Sequence, residues 1–368
     1  MRIAQVAPLF ESVPPHGYGG IERVVSYLTE EQVALGHEVT LYATRDSVTS
    51  ARLRPQSTRA LRMDEERADP LAEHLCMLDQ VLREASDFDV IHFHNHYLHL
   101  PFASRLEPPG VTTLHDRLDG VGSRRIFRTF RTHPFVSISD AQRRPMPWLN
   151  WKRTIHHGLP PDLLPFVGSP QEYLAFMGRM SPEKGVDRAI EIATRVGLPL
   201  RIAAKVDARD RPYFEGVVRP LLDHPLIEFV GEIGGDDKAE FIGNAAALLF
   251  PIDWPEPFGL VMIEAMACGT PVVAFEYGSV AEVMQEGETG YVVRSVEEAV
   301  DVVRDIGAIS RHRCREIFDE RFTTRRMTED YLTVYRSLTE NPDDRRTYYS
   351  GLERARRSPR SSPIRPTR

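Results

Sequence analysis

A regular alternation of short apolar runs and amphipathic segments constrains this chain more than any other feature, because it opens at the first residues, breaks off once and starts again. The beginning reads RIAQVAP, then the Gly-rich loop HGYGG, then IERVVSYLTEEQVALG, then HEVTLYA. A strand, a crossover helix ending at Gly36 and a second strand make a βαβ unit, in which the two strands run parallel. Further strands are expected at DVIHFHN, GVTTLHD and HPFVSIS, which makes the first half a doubly wound α/β unit.

Between Asn150 and Pro170 the pattern fails in a Pro- and Gly-rich stretch, the expected linker. Beyond it, strands are expected at YLAFMGR, LPLRIAA, IEFVGEI, ALLFPI and TPVVAF, with helices at Val186 to Val196, near Lys238 to Asn244 and at Gly259 to Cys268. A chain of 368 residues also exceeds what one core usually organises. The expected fold class is therefore α/β with two Rossmann-like domains, at 1–160 and 161–322. A helix at 323–342, with apolar spacing at Met327, Tyr331, Val334 and Leu338, is expected to pack back on the first domain. The Arg-, Ser- and Pro-rich tail at 343–368 has too little apolar area to order itself; it reads as a solvated end or as a peripheral contact with an anionic membrane surface.

Charge and cysteine usage exclude some function classes. A formal net charge of -7 repels a phosphate backbone, so nucleic acid is not an expected partner. Cys76, Cys268 and Cys314 are odd in number and scattered, without metal-ligand spacing, which fits a reducing compartment. No apolar run approaches the roughly 20 residues of a membrane span, and the N-terminal run lacks a signal-peptide pattern. A cytoplasmic location is expected.

The most informative stretch for chemistry is WPEPFGLVMIEAMACGTPVVAF, Trp254 to Phe275. Pro257 and Gly259 stand immediately before a run of strong helix formers, so the amides of Phe258, Gly259 and Leu260 are expected at a helix N-terminus. Such a terminus attracts anions, and a diphosphate is a natural ligand. Glu256 precedes the helix and Glu264 lies about two turns into it. Carboxylates accept from paired hydroxyls, so the two could hold two sugar rings of one extended ligand. Taken singly, each is as readily a dipole-favoured or solvated helix residue. In TLHDRLD, His115 ends a predicted strand, where open α/β sheets place ligands. The run HFHNHYLH, His92 to His99, offers imidazoles at alternate positions, yet no Asp, Glu or Cys completes an obvious metal shell. It is read as a polar strand end, with no metal site.

The E-P-F-G motif, with a second Glu eight positions after the first and then A-M-A-C-G-T-P-V-V-A, resembles the signature of glycosyltransferase family four. The resemblance implies two Rossmann-like domains facing across a cleft, the GT-B arrangement, and sugar transfer with retention, without a metal or cofactor. FMGRMSPEKG resembles the family's phosphate loop, which makes Arg179 and Lys184 the cations for the leaving diphosphate. GYGGIERVV resembles its first-domain loop, placing Gly19 and Gly20 beside the donor. His115 matches the family's histidine near the reacting sugar, able to donate a hydrogen bond to the donor or to orient the acceptor. Gly231, Glu232 and Ile233 match the segment that passes the nucleobase.

On that basis Arg179 and Lys184 are expected to support the diphosphate with the amides of Phe258, Gly259 and Leu260. Glu264 would hold the ribose and Glu256 the transferred sugar, with His115 facing its other side; His115, Arg179, Lys184 and Glu256 are the catalytic set. The partner is a nucleotide diphosphate-sugar, UDP favoured, and the acceptor is unidentified. Lys205-Val206-Asp207 and Tyr277-Gly278 stand where the family more often has glycines. A GT-B phosphorylase, a nucleotide-sugar epimerase and a non-catalytic nucleotide-sugar-binding protein are the competing readings.

Overall fold

A computed structural model describes residues 1–17, 19–64, 69–103 and 105–340. The basic tail expected at 343–368 and the end of the helix expected at 323–342 lie outside these residues. The first sheet has seven strands: β1 (Arg2–Val6), β2 (Glu38–Ala43), β3 (Arg52–Pro55), β4 (Val90–Phe93), β5 (Gly110–Thr113), β6 (Phe135–Ser137) and β7 (Trp151–Thr154). They run parallel in the order β3-β2-β1-β4-β5-β6-β7. The second sheet has six: β8 (Leu174–Arg179), β9 (Leu200–Lys205), β10 (Ile227–Gly231), β11 (Ala247–Phe250), β12 (Val272–Phe275) and β13 (Gly290–Val293). These are also parallel, ordered β10-β9-β8-β11-β12-β13. Each order reverses once, between β1 and β4 and between β8 and β11, and such switch points are where doubly wound sheets open a crevice.

Three strands, β3, β7 and β13, are absent from the sequence reading because none has a long apolar run; β13 is only the four residues GYVV. β3 is an edge strand, RLRP, with exposed ends and a terminal proline, both tolerated only at an edge. β7 occupies the start of the expected linker. Its charged Lys152 and Arg153 hide it, while Trp151 packs edge-on to Phe135 at 6.0 Å and under the Arg143 guanidinium. The irregular backbone begins only after Thr154. The helix expected near Lys238 to Asn244 spans Gly235–Gly243.

The core of the first unit is completed by the last helix, Thr324–Glu340, whose buried face carries Met327, Tyr331, Val334, Tyr335 and Leu338. They pack with Ile3, Val24, Leu28, Val90, Val111 and Val136, so a segment that follows the second sheet in the chain seals the first. Reaching it requires a second crossing between the units. The two crossings pair: the Leu159 amide donates to the Phe322 carbonyl and the Thr324 amide to the Leu159 carbonyl, each at 2.9 Å. Gly158 permits this approach, since a Cβ there would lie 2.3 Å from the Thr323 oxygen. A further tie is the Glu282 carboxylate, which accepts from the Asp140 and Ala141 amides at 2.6 and 2.5 Å and lies 3.6 Å from His156 Nε2.

Gly158→Ala must separate the paired crossings and is expected to destabilise the protein by about 2–4 kcal/mol. Gly307→Ala, where nothing lies within 4 Å of the added carbon, is expected to leave the thermal midpoint within about 1 °C of the parent. Comparing the two melting curves checks this, and equal midpoints would remove the assigned role of Gly158.

Candidate active site

The carboxyl ends of the two sheets enclose one polar cleft of about 700 Å³. Its walls are the loops that follow parallel strands. Gly19 and Gly20 come after β1, His94 to Leu98 after β4, and His115 and Asp116 after β5. From the other sheet come Arg179 and Lys184 after β8, Lys205 closing β9, Glu232 and Ile233 after β10, and Glu256 to Glu264 after β11. Of the residues expected to carry the catalysis or bind the donor, all line this cleft except Gly231. That glycine ends β10 at φ 81° and turns its two successors into the wall.

The loop around Glu256 is held from behind. Gly278, at φ 59°, lies so close that a Cβ would meet the Glu256 carbonyl oxygen at 2.2 Å, so the one glycine retained in Tyr277-Gly278 is required. The Ser279 amide donates to the Glu256 carbonyl at 3.0 Å and Ser279 Oγ to the Phe258 carbonyl at 2.8 Å. Gly259, at φ 80°, is the N-cap, so the helix runs Leu260–Cys268 and the Phe258 amide lies ahead of it. The Met262 amide already bonds Gly259 at 3.0 Å, which leaves the Leu260 and Val261 amides without a partner among the described residues. The Phe258 ring is buried and meets His157 edge-on at 4.9 Å.

Both signature carboxylates are buried, and burial of a charge demands a partner. Glu256 takes Lys184, 2.5 Å away, and the Lys184 ammonium also lies 4.7 Å from the centre of the Trp254 ring. Glu264 takes Lys238, from the neighbouring helix Gly235–Gly243. Arg179 is paired with Glu183 and, at 3.1 Å, with Asp210. The expected phosphate cations are thus each neutralised within the cleft wall. Sequence reading missed Lys238 and Asp210, which lie outside the signature, and gave no role to Trp254, which opens the informative stretch. It also missed Arg23, a cleft cation that has no carboxylate partner among the described residues and donates to the Gly17 carbonyl at 2.7 Å. Glu22, two positions after Gly20, is buried in the same wall, and burial pushes its carboxyl up to about 7. Its place on the first turn after a Gly pair was the available signal.

Across from these, burial, reinforced by His96, pushes the His115 imidazole down to about 3, so it is neutral. Burial likewise holds His92, His94, His99 and His157 well below the usual histidine range. His92 and His94 are engaged in hydrogen bonds with Tyr335, Thr113, Gln5 and His115. Among the described residues no three His, Cys, Asp or Glu side chains converge as metal ligands.

Two Rossmann-like units whose carboxyl edges meet over one polar cleft define the GT-B class. Comparison with known proteins agrees. Residues 18–164 match the model of Glycosyltransferase Family 4, and residues 167–317 match that of Glycosyl transferases group 1. An uncharacterized glycosyltransferase of Methanocaldococcus jannaschii is 25% identical, over 79% of this chain and 84% of its own. A glycogen synthase of Mycobacterium tuberculosis is 25% identical over 90% and 91%. A solved glycosyltransferase involved in avilamycin A biosynthesis, 25% identical, superposes with a TM-score of 0.74 over 92% of this chain and 98% of its own. The chain belongs to the family-four glycosyltransferases and is a glycosyltransferase of the GT-B type.

The neutral histidines give stability a definite pH dependence. Their folded proton affinity is depressed, so the unfolded chain binds more protons at low pH; the stabilisation is complete above the ordinary value of 6.5 and is lost as pH falls from there toward about 3. A group held near 3 contributes about 2 kcal/mol less at pH 5. Glu22 and Glu11 work the other way, their carboxyls raised by burial and favouring the fold at lower pH. The melting temperature is expected to fall between about pH 7.5 and 5, and His115→Gln should flatten part of that slope. A midpoint rising toward pH 5 would contradict the assignment.

Proposed function

We propose that the protein transfers a hexose from a nucleotide diphosphate-sugar, with a uridine donor favoured, to an acceptor hydroxyl, with retention and without a metal. The division of labour follows the sheets: residues 161–322 hold mainly the donor, with Gly19 and Gly20 beside it, residues 1–160 mainly the acceptor, and the helix from 323 closes back on the acceptor side. The observation that carries this reading is the pair of buried Lys–Glu contacts, Lys184–Glu256 and Lys238–Glu264, set beside the unpaired amides of a helix N-terminus.

A diphosphate arriving at the Leu260 and Val261 amides competes for Lys184, and the exchange frees Glu256 to accept from sugar hydroxyls. Glu264, partnered by Lys238 and further along the same helix, is the acceptor for the ribose. Arg179 adds its field on the phosphate side, and Glu232 and Ile233 flank the base. In the transfer the acceptor oxygen bonds the anomeric carbon as the bond from that carbon to the phosphate oxygen breaks. The acceptor proton passes to that phosphate oxygen, on the same face. Cations fixed beside the leaving group stabilise charge that grows in the transition state. Three free cysteines fit a cytoplasmic setting, and no helix among the described residues is long and apolar enough to cross a membrane.

Incubating the protein with uridine, guanosine and adenosine diphosphate-sugars, and measuring nucleoside diphosphate release with candidate acceptors, tests this. Lys184→Ala and Glu256→Ala are each expected to lower kcat roughly 100- to 1,000-fold, with a chelator leaving the parent rate unchanged. Absence of release from every donor would sink the proposal.

A further inference from the structure

His115 is the outermost member of a buried hydrogen-bond chain that runs away from the cleft, through both halves of the first unit, to the last helix. His115 Nε2 meets His94 Nδ1 at 2.9 Å, and His94 Nε2 meets Gln5 Oε1 at 2.9 Å. Gln5 Nε2 then meets Gln32 Oε1 at 2.9 Å and the Tyr335 hydroxyl at 3.2 Å. Gln32 Nε2 lies 3.3 Å from the same hydroxyl, and that hydroxyl is 2.7 Å from His92 Nδ1. His115 Nδ1 is buried with no partner, on a residue that lines the cleft.

Only one direction of donation satisfies every contact. With the amides placed as they are, the Tyr335 oxygen accepts from both glutamines and its single proton goes to His92. Reversing both amides turns two carbonyl oxygens toward that one proton, and one oxygen–oxygen contact is left bare. With Gln5 Oε1 therefore an acceptor, His94 carries its proton on Nε2, and its Nδ1 must accept from His115. Neutral His115 then has its proton on Nε2 and a lone pair on Nδ1.

We infer that Tyr335, Gln5 and His94 are positioning residues that lock this tautomer, so the cleft presents at His115 an acceptor that takes a proton-donating group, a sugar hydroxyl, and rejects a group that can only accept. Of the two roles expected for His115, donating to the donor sugar and orienting the acceptor, this favours the second. The tautomer belongs to the ligand-free protein; the consequence for substrate rests on the transferase function proposed above.

With isotopically labelled histidine, nitrogen NMR of the ligand-free protein is expected to show a pyrrole-type Nε2 and a pyridine-type Nδ1 for His115, assigned by their loss in His115→Gln. The opposite pattern overturns the inference. His94→Asn, whose amide oxygen can accept from Nε2–H, should retain the tautomer, and His94→Leu should release it to a mixture. A His115 tautomer indifferent to His94→Leu overturns the role of the chain; Tyr335→Phe, which frees the Gln5 amide, gives the same test should the leucine variant not fold. In turnover, substrates with one hydroxyl replaced by hydrogen or by fluorine are compared. At the position meeting His115 both replacements are expected to lower kcat/KM alike, roughly 10-fold or more, because fluorine cannot donate. Fluorine preserving the rate wherever hydrogen lowers it overturns the acceptor assignment. Absence of any turnover counts against the transferase reading alone, and the tautomer is still decided by the NMR.

Discussion

The chain passes between its two sheets twice, and the contact of those two passages at Gly158-Leu159 and Phe322 to Thr324 sets everything else in place. A single connection would leave the two carboxyl edges free to swivel, since each sheet has a core of its own. Two connections pinned side by side leave one remaining freedom, an opening of the cleft about the pinned line. The Glu282 contact with the Asp140 and Ala141 amides adds a further tie between the units. Closure about such a line is the usual way for a two-domain site to exclude water and bring its walls together.

Charge is arranged within the cleft so that both signature carboxylates have a lysine partner. An unpaired buried carboxylate is costly enough that it would take up a proton, whereas a lysine held against it keeps both ionised. Lys184 and Lys238 are the partners of Glu256 and Glu264. On the function proposed above, the same pairing makes the pocket exchangeable: an entering anion offers Lys184 a new partner, and the Glu256 carboxylate it leaves behind is an acceptor already desolvated. Gly278 and Ser279 keep Glu256 from following its lysine, because they grip its backbone and leave the side chain free to change partners.

The two sheets were legible because parallel strands buried on both faces are apolar runs, and runs such as VIHF and VVAF stand out in any window. β3, β7 and β13 were not, since edge strands expose one side: β3 and β7 carry charge there, and β13 is only four residues long. The signature loop named Glu256, Glu264, Arg179 and Lys184 through its resemblance to a family. It could not name Lys238 or Asp210, whose roles depend on which helix packs beside which. The helix start moved by a residue or two for a local reason, the left-handed Gly259. The His92 to His99 run shows the limit most clearly: spacing alone fits a metal, a cleft wall and a hydrogen-bond chain equally well. The deciding partners, Gln5 and Tyr335, lie at opposite ends of the sequence.

That distance gives the last helix a second purpose. As packing, Thr324–Glu340 could be replaced by any amphipathic segment that covers Ile3, Val90 and Val111. Yet its tyrosines are fully buried and carry hydroxyls, which an apolar cover would avoid, because each buried hydroxyl must find partners. Tyr331 meets Thr113 Oγ1 at 2.9 Å and Tyr335 meets Gln5, Gln32 and His92, so both reach the strand ends that lead to the cleft. A polar chain of this kind has one low-energy pattern of proton placement when every member is satisfied, and several when a member is missing. The helix thus completes the first unit twice, once as a hydrophobic lid and once as the fixed end from which the protonation of His115 is counted.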